Sequence, residues 1–486
     1  MVWIFYSRGG VRMDVKTMVE QEITGKGDAL CAFSDGIFDN PELGFQEKKA
    51  LDRYTEFLKS EGFQVETGLD GMPTAFKATY GSGKPVIAYL AEYDALPELS
   101  QKAGCTSRCA TDDHNPNGHG CGHNLLGTGC LAAALGVKAY LMQHPGDGTV
   151  VLYGCPSEEK GNSKTFLARD GYFKDVDIAY SWHPFDKSEV AGYSMLANVS
   201  VFFRFKGVSA HAAAAPFMGR SALDAAELMN VGANFLREHI IPEARIHYAF
   251  RDVGGIAPNV VQPTSCVHYM IRAPRNSQVQ EIYARVIDIA KGAALMTGTT
   301  MEYELYAGLS DLLPNHVVSE NMQKALEAVG MPHFTEEDKQ WARNFFESSC
   351  TPEELQEKKA LLTRKFGKDK LQFPVDDVIK PIDWSAPPMS GSSDVGDASQ
   401  VVPVAFLSMA TTVFGTAAHT WQMTAQGKSP VAHKMMLQAG KVLALSGIDM
   451  LQHPELIAAA KKELQEETGG KYLCPIPSTI KPRLND

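Results

Sequence analysis

Between residues 198 and 308 the amino-acid pattern changes rhythm. NVSVFFRFKG (198–207) alternates apolar and polar residues, as a half-exposed strand does when successive side chains point to opposite faces. A helical stretch follows at 221–240. Strands are predicted at 244–250 and 265–274, a second long helix at 277–296 and a last strand at 299–308. This β-α-β-β-α-β order is the signature of a ferredoxin-like module. On either side, apolar strands alternate with helices, the pattern of a mostly parallel α/β sheet covered on both faces. The expected architecture is an α/β domain built from residues 14–196 and 309–475, interrupted by a small α+β domain at 197–308.

The flanking segments supply the larger layer. Residues 14–62 carry apolar residues at helical spacing, and Gly62 suits a helix C-terminus. PVIAYLAEYDALP (85–97) predicts a strand ending in a loop, and Asn124 is placed to cap the helix that follows. GTVVLYGCP (148–156) predicts a buried strand. Pro184 is expected to stop the strand DIAYSWHP (177–184). Residues 333–371 are charged and helical, and read as an insertion packed on the surface. VPVAFLSMA (402–410) returns to a buried strand, and 429–451 predicts a helix covering the sheet. The Pro- and Lys-rich tail after Gly469 is expected to wrap loosely. The first dozen residues read as an extension without a role in the fold.

Composition narrows the functional classes. Hydrophobic residues make up 44% of the 486 and charged residues 21%, which is ordinary for a folded chain. No run of roughly eighteen consecutive apolar residues offers a membrane span. The net charge of −11 leaves no broad basic face for nucleic-acid phosphates. Nine scattered cysteines, an odd number, argue against a disulfide framework and for a reducing cytoplasm. The apolar run at residues 2–5 is too short for a signal-peptide core.

Four places hold candidate metal ligands: Cys121 and His123 in GHGCGHN, Glu158 and Glu159 in PSEE, His183 in SWHP, and His419 in AAHTW. Each lies after a predicted strand or at a helix start, the edge of an α/β sheet where loops converge. Thiolate, imidazole and carboxylate donors together suit Zn²⁺, Mn²⁺ or a similar ion, and not Ca²⁺. Adjacent carboxylates after a strand point in different directions. One can bind a metal while the other takes a proton from the water that the metal acidifies. That arrangement suits amide hydrolysis. Each motif alone has a plainer account: a core histidine, an acidic pair at a helix start, or a structural zinc site in which Cys105 and Cys109 join Cys121 and His123. The occurrence of all four in order, each at a strand exit, favours the catalytic account.

AEYDALP (91–97), GHGCGHNLLGTG (118–129), PSEEKGNSKTFLARDG (156–171), SWHP (181–184), FKGVSAHAAAAP (205–216) and the His419 segment resemble the aminoacylase and glutamate-carboxypeptidase family of dinuclear metallopeptidases. Within it, they resemble the amidohydrolase branch of hippurate and indoleacetyl-amino-acid hydrolases. GRSALDAAELMNVGANFLREHI, GGIAPNVV and GSSDVGDASQVVP narrow the resemblance to hydrolases of p-aminobenzoyl-glutamate. The likeness runs from about residue 15 to about residue 475. It implies a catalytic domain binding two divalent ions, Mn²⁺ or Zn²⁺, and an inserted lid that also dimerises, as a homodimer or with a homologous subunit. Carried over, Cys121, His123, Glu159, His183 and His419 are ligands, Glu158 is the general base, and Asp94 orients a ligand from beneath. The branch usually has Asp where Asn124 stands here. His211 would reach the partner subunit's site and polarise the substrate carbonyl. Asn259 and Arg272 would hold the substrate carboxylate, a task for which the guanidinium fork is well shaped. Arg220, before a helix, is given a structural role. The implied reaction is cleavage of p-aminobenzoyl-glutamate to p-aminobenzoate and glutamate. The alternatives are a dipeptidase, a general N-acyl-amino-acid hydrolase, or a non-catalytic metal-binding subunit of a hetero-oligomer.

Overall fold

Eleven strands organise the computed structural model, which describes residues 14–484; the N-terminal extension lies outside the described residues. In chain order they are β1 (Gln64–Thr67), β2 (Phe76–Ser82), β3 (Val86–Ala91), β4 (Gly148–Gly154), β5 (Ile178–Phe185), β6 (Glu189–Val190), β7 (Ala197–Lys206), β8 (Arg245–Asp252), β9 (Thr264–Ala273), β10 (Thr300–Leu309) and β11 (Val404–Ala410). The first sheet has the order β1-β2-β4-β3-β5-β11-β6. Its centre, β4-β3-β5-β11, is parallel, and its edges are antiparallel. β4 and β11 are buried along their whole length, as strands covered on both faces must be. The second sheet is wholly antiparallel, with the order β10-β7-β9-β8. Counting from its first strand this is 4-1-3-2, the arrangement that a β-α-β-β-α-β chain makes in a ferredoxin-like unit. Helices Ala222–Leu236 and Asn276–Thr297 cover one of its faces.

The helix His123–Gln143 lies at the centre of the larger layer. It packs on Pro430–Gln452 and is buried over nearly all its turns. Among the described residues it is the one helix long and apolar enough to cross a membrane, and 83% of its apolar window is buried inside the fold. Its close approach to β5 depends on Gly129, where a Cβ would come within 2.5 Å of the Trp182 indole. The same indole donates to the Leu126 carbonyl at 2.8 Å.

Four local expectations need correction. Asn124 does not cap this helix: Gly122 does, at φ 76°, and Asn124 is already inside the first turn. Pro184 does not stop β5, which runs on to Phe185 beside β11, because proline forfeits only its own N–H near a strand end. The 333–371 insertion is not merely on the surface. Its helices Glu336–Ser348 and Pro352–Phe366 bury Phe345, Phe346 and Leu362 in the main core. The tail is not loose either: Ile476 is 3% exposed, Tyr472 donates to Asp397 at 2.7 Å, and Asn276 donates to the Leu473 carbonyl at 2.6 Å.

His433 Nε2 lies 2.9 Å from Asp35 Oδ1 and ties the helix Pro430–Gln452 to Gly27–Phe38. Burial lowers the His433 pKa, but Asp35 and Cys31 outweigh it and push the imidazole up to about 9. A folded value above the unfolded one, roughly 6.5, means stabilisation that is complete below that pH and lost as pH rises towards the folded value. Urea unfolding from pH 6 to pH 9.5 should show the native protein losing about 1–2 kcal/mol more than His433→Gln across this window. Parallel curves would show that the pair contributes nothing.

Candidate metal centre

Because β4, β3, β5 and β11 run the same way, their C-terminal ends share one edge, and the chemistry collects there. Asp94 follows β3, Glu158 and Glu159 follow β4, His183 lies near the end of β5, and His419 follows β11. Cys121 and His123 enter from the start of the central helix. The donor atoms of the five expected ligands form two groups, Cys121–His123–His183 and Cys121–Glu159–His419. Within each group they lie within 4.8 Å of one another, and Cys121 belongs to both. The set converges although its members span some three hundred residues of sequence. Neither Cys105 nor Cys109 joins such a group among the described residues, so the structural zinc site is not formed.

Hydrogen bonds at Nδ1 orient the rings of His123 and His183. His123 Nδ1 lies 2.9 Å from Asp94 Oδ1, and a carboxylate only accepts, so Nδ1 carries the proton and Nε2 faces the centre. His183 Nδ1 likewise donates to the Pro184 carbonyl at 2.8 Å, leaving Nε2 3.4 Å from Cys121 Sγ. Burial, with His123 beside it, lowers the His183 pKa to about 4, so the ring is neutral. Asp94 uses its second oxygen to accept from the Glu159 backbone N–H at 3.0 Å. His419 is drawn in by its backbone N–H, which donates to the Gly120 carbonyl at 2.8 Å, and its Nε2 stands 3.3 Å from Glu159 Oε1. Asn124 is turned away: its amide donates to Ser34 Oγ and the Gly427 carbonyl, where an Asp would have no proton to offer.

Several bonds and strained angles fix the PSEE turn. Glu47 is fully buried and accepts from the Ser157 N–H at 2.8 Å. Ser157, Asn162 and His419 all hold positive φ, at 56°, 51° and 59°. Such backbone strain persists only where surrounding contacts over-determine it.

The donor set fits a divalent cation. His123 Nε2 and Glu159 Oε1 are buried and make no well-formed hydrogen bond; each meets only another candidate donor, Glu92 Oε2 at 3.2 Å and His419 Nε2 at 3.3 Å, a crowding of donor atoms that a shared cation relieves. Burial lowers the His123 pKa, yet Cys121 and Asp94 hold it well above its ordinary range, so the pocket attracts positive charge. Burial pushes the Cys121 thiol up, with Glu159 adding to it, and a bound cation would reverse that by favouring the thiolate. Burial, then Glu92 and Glu159, raise Glu158 well above the usual carboxylate range, so this group readily holds a proton.

A cleft of about 670 Å³ opens between the two sheets. Cys121, Glu158, Glu159, His183 and His419 line one wall, and Asn198, His268 and Arg272 of the smaller sheet line the other. Arg272 donates to Ser392 Oγ at 3.0 Å. His211 and Asn259 do not reach this cleft. They are exposed and adjacent, with the Ala212 N–H donating to the Asn259 carbonyl, while His211 Nδ1 accepts from Ala213 and Ala214. Arg220 bonds the Gly219 carbonyl, outside the cleft.

Sequence reasoning missed a buried group beneath the centre: Glu92, Lys164 and Asp394. Glu92 left one signal, standing two residues before Asp94 and so on the same side of an extended chain. Lys164 and Asp394 left none, because isolated charges in a sequence are usually solvated.

Peptidase family M20/M25/M40 matches residues 88–407. The chain belongs to this family. Membership makes it a metal-dependent hydrolase. Among M20 relatives, one of the subunits of the p-aminobenzoyl-glutamate hydrolase of Escherichia coli (strain K12) is 41% identical over 477 residues, covering 96% of this chain and 99% of the relative. The Xaa-Arg dipeptidase of Mus musculus is 29% identical, covering 93% and 94%. The fold also matches the crystal structure of a dinuclear metal-binding M20 peptidase from Bacillus subtilis, with a TM-score of 0.57, 16% identity and coverage of 88% and 99%.

Gly122 decides whether Cys121 and His123 meet. Its φ is 76°, and a Cβ would press on Pro184 at 3.0 Å and Met423 at 3.2 Å. Gly122→Ala should therefore lower unfolding free energy by about 1–3 kcal/mol, read by chemical denaturation. A stability equal to the native protein's would show that this turn adapts freely.

Proposed function

We propose that the chain hydrolyses p-aminobenzoyl-glutamate to p-aminobenzoate and glutamate, using two divalent ions, Mn²⁺ or Zn²⁺. The observation that carries this reading is the pair of ligand groups sharing Cys121, with Glu158 beside them on the same cleft wall. Cys121, His123 and His183 would hold one ion, and Cys121, Glu159 and His419 the other. Bound there, the ions acidify a water and offset charge developing on the amide oxygen. Glu158 takes the proton from the attacking water and returns it to the glutamate nitrogen as the C–N bond breaks. A carboxyl with a raised pKa suits both halves of that transfer. Asp94 keeps His123 and the Glu159 backbone in register. Arg272, on the opposite wall, receives the substrate carboxylate.

The same reading assigns His211 and Asn259 to the site of a second subunit, joined through the smaller sheet. Their exposure supports it, as does the apolar surface of that unit: Phe217, Phe235, Ile256 and Leu295 are 78%, 73%, 99% and 84% exposed. β8 is also an edge strand with nearly every residue exposed. The partner is a second copy or a homologous subunit, and the second option is prompted by the 41% relative, which is itself named as a subunit. The nine free cysteines support placement in a reducing cytoplasm. A dipeptidase is the second reading, prompted by the 29% relative. A panel of dipeptides and acylated amino acids separates the two: preference for the aromatic acyl-glutamate supports the first, and preference for dipeptides with C-terminal Arg the second.

Glu158→Ala should abolish turnover while keeping the metal content of the native protein; near-normal cleavage would remove Glu158 from its role. His211→Ala should lower kcat by about 10²–10³-fold. Mixed with Glu158→Ala subunits it should regain activity, because one hybrid site then has both groups. No recovery on mixing would count against a histidine acting across subunits.

A further inference from the structure

Directly beneath the proposed metal centre lies a charge cluster that the proposed hydrolysis does not use. Lys164 is fully buried, and its Nζ lies 2.8 Å from Glu92 Oε1 and 2.5 Å from Asp394 Oδ1. Its backbone N–H also donates to Asp394 Oδ2 at 2.9 Å. Glu92 is 1% exposed, and its other oxygen, Oε2, stands 3.2 Å from His123 Nε2. Glu92, His123 and Glu158 form a third donor group, with atoms within 4.8 Å of one another. Glu92 is thus close enough to the ligand atom of His123 to compete for the same ion, and close enough to Glu158 to interfere with the base.

We propose that Lys164 is a positioning residue that keeps Glu92 out of the metal coordination shell. Its ammonium occupies one Glu92 oxygen and neutralises its charge, doing for that carboxylate what a metal would otherwise do. The ligand sets then stay those built on Cys121, and Glu158 is left as the one carboxylate facing the cleft that binds no ion. Asp394 holds the ammonium from the opposite side, so Lys164 cannot follow Glu92 outward. Asp394 stands at the head of the helix Val395–Ser399, two residues after Ser392, whose hydroxyl accepts from Arg272. The inference rests on the proposed metal centre, and concerns which carboxylates ligate.

The test is Mn²⁺ titration of the full chain by calorimetry, with visible spectra of Co²⁺-loaded protein. Native protein is titrated first; if it binds neither ion, the metal-centre reading fails, and that failure is recognised before any variant is made. In Lys164→Met a positive charge beside a cation site is gone and Glu92 is free. Mn²⁺ should bind at least about tenfold more tightly, and the Co²⁺ spectrum should change as an extra carboxylate enters. kcat should fall while KM changes little. A merely structural lysine would instead weaken metal binding or leave it unchanged, and that result overturns the proposal. Glu92→Gln gives an independent arm should Lys164→Met not fold. Its Mn²⁺ affinity should stay within about threefold of native. A loss beyond a hundredfold would identify Glu92 as a ligand and refute the assignment.

Discussion

One carboxylate holds the centre together. Asp94 accepts from the His123 ring with one oxygen and from the Glu159 backbone with the other. It stands at the exit of β3, between the start of the central helix and the turn after β4. Three pieces of backbone are therefore set by a single fully buried group with no freedom to move. Desolvating that carboxylate is unfavourable, and its two charge-assisted hydrogen bonds are what offset the loss of water. Without them the histidine would lose its tautomer and the PSEE turn its anchor, so the ligand geometry follows from this contact more than from the ligands themselves.

The large features were legible because they are written in short-range patterns. Alternation in β7 and β9 reports a sheet with one covered face, and the order of strands and helices in that region leads to the 4-1-3-2 arrangement observed. Ligand candidates were legible because they sit where strand patterns end, the one edge that a parallel sheet exposes to its loops. The lesson is topological: residues as distant as Cys121 and His419 converge because strands parallel to each other finish on the same side.

What escaped prediction escaped for identifiable reasons. β1 is four residues long with no buried member, and β6 is a two-residue pairing, so neither leaves a periodic trace. The segment around Phe345 and Phe346 carries so many charges that its narrow apolar stripe resembles surface. Lys164 was invisible because only the fold brings Glu92 and Asp394, which lie seventy-two residues before it and two hundred and thirty after it, to its ammonium. The placement of Asn124 failed by two positions, since a glycine at positive φ let the helix begin earlier than side-chain capping suggests.

The C-terminal tail bears on how the cleft can open. It bonds Asp397 on the larger layer, then Asn276 at the head of a helix on the smaller one, and Arg483 pairs with Glu304 on β10. The two layers are thus laced together by a strap as well as linked by the two chain crossings near β7 and β10. A hinge rotation that widens the cleft must carry this strap with it or unfasten it. The tail therefore restrains any such rotation, and a fusion or truncation at the C-terminus would act on that restraint at a distance from the chemistry.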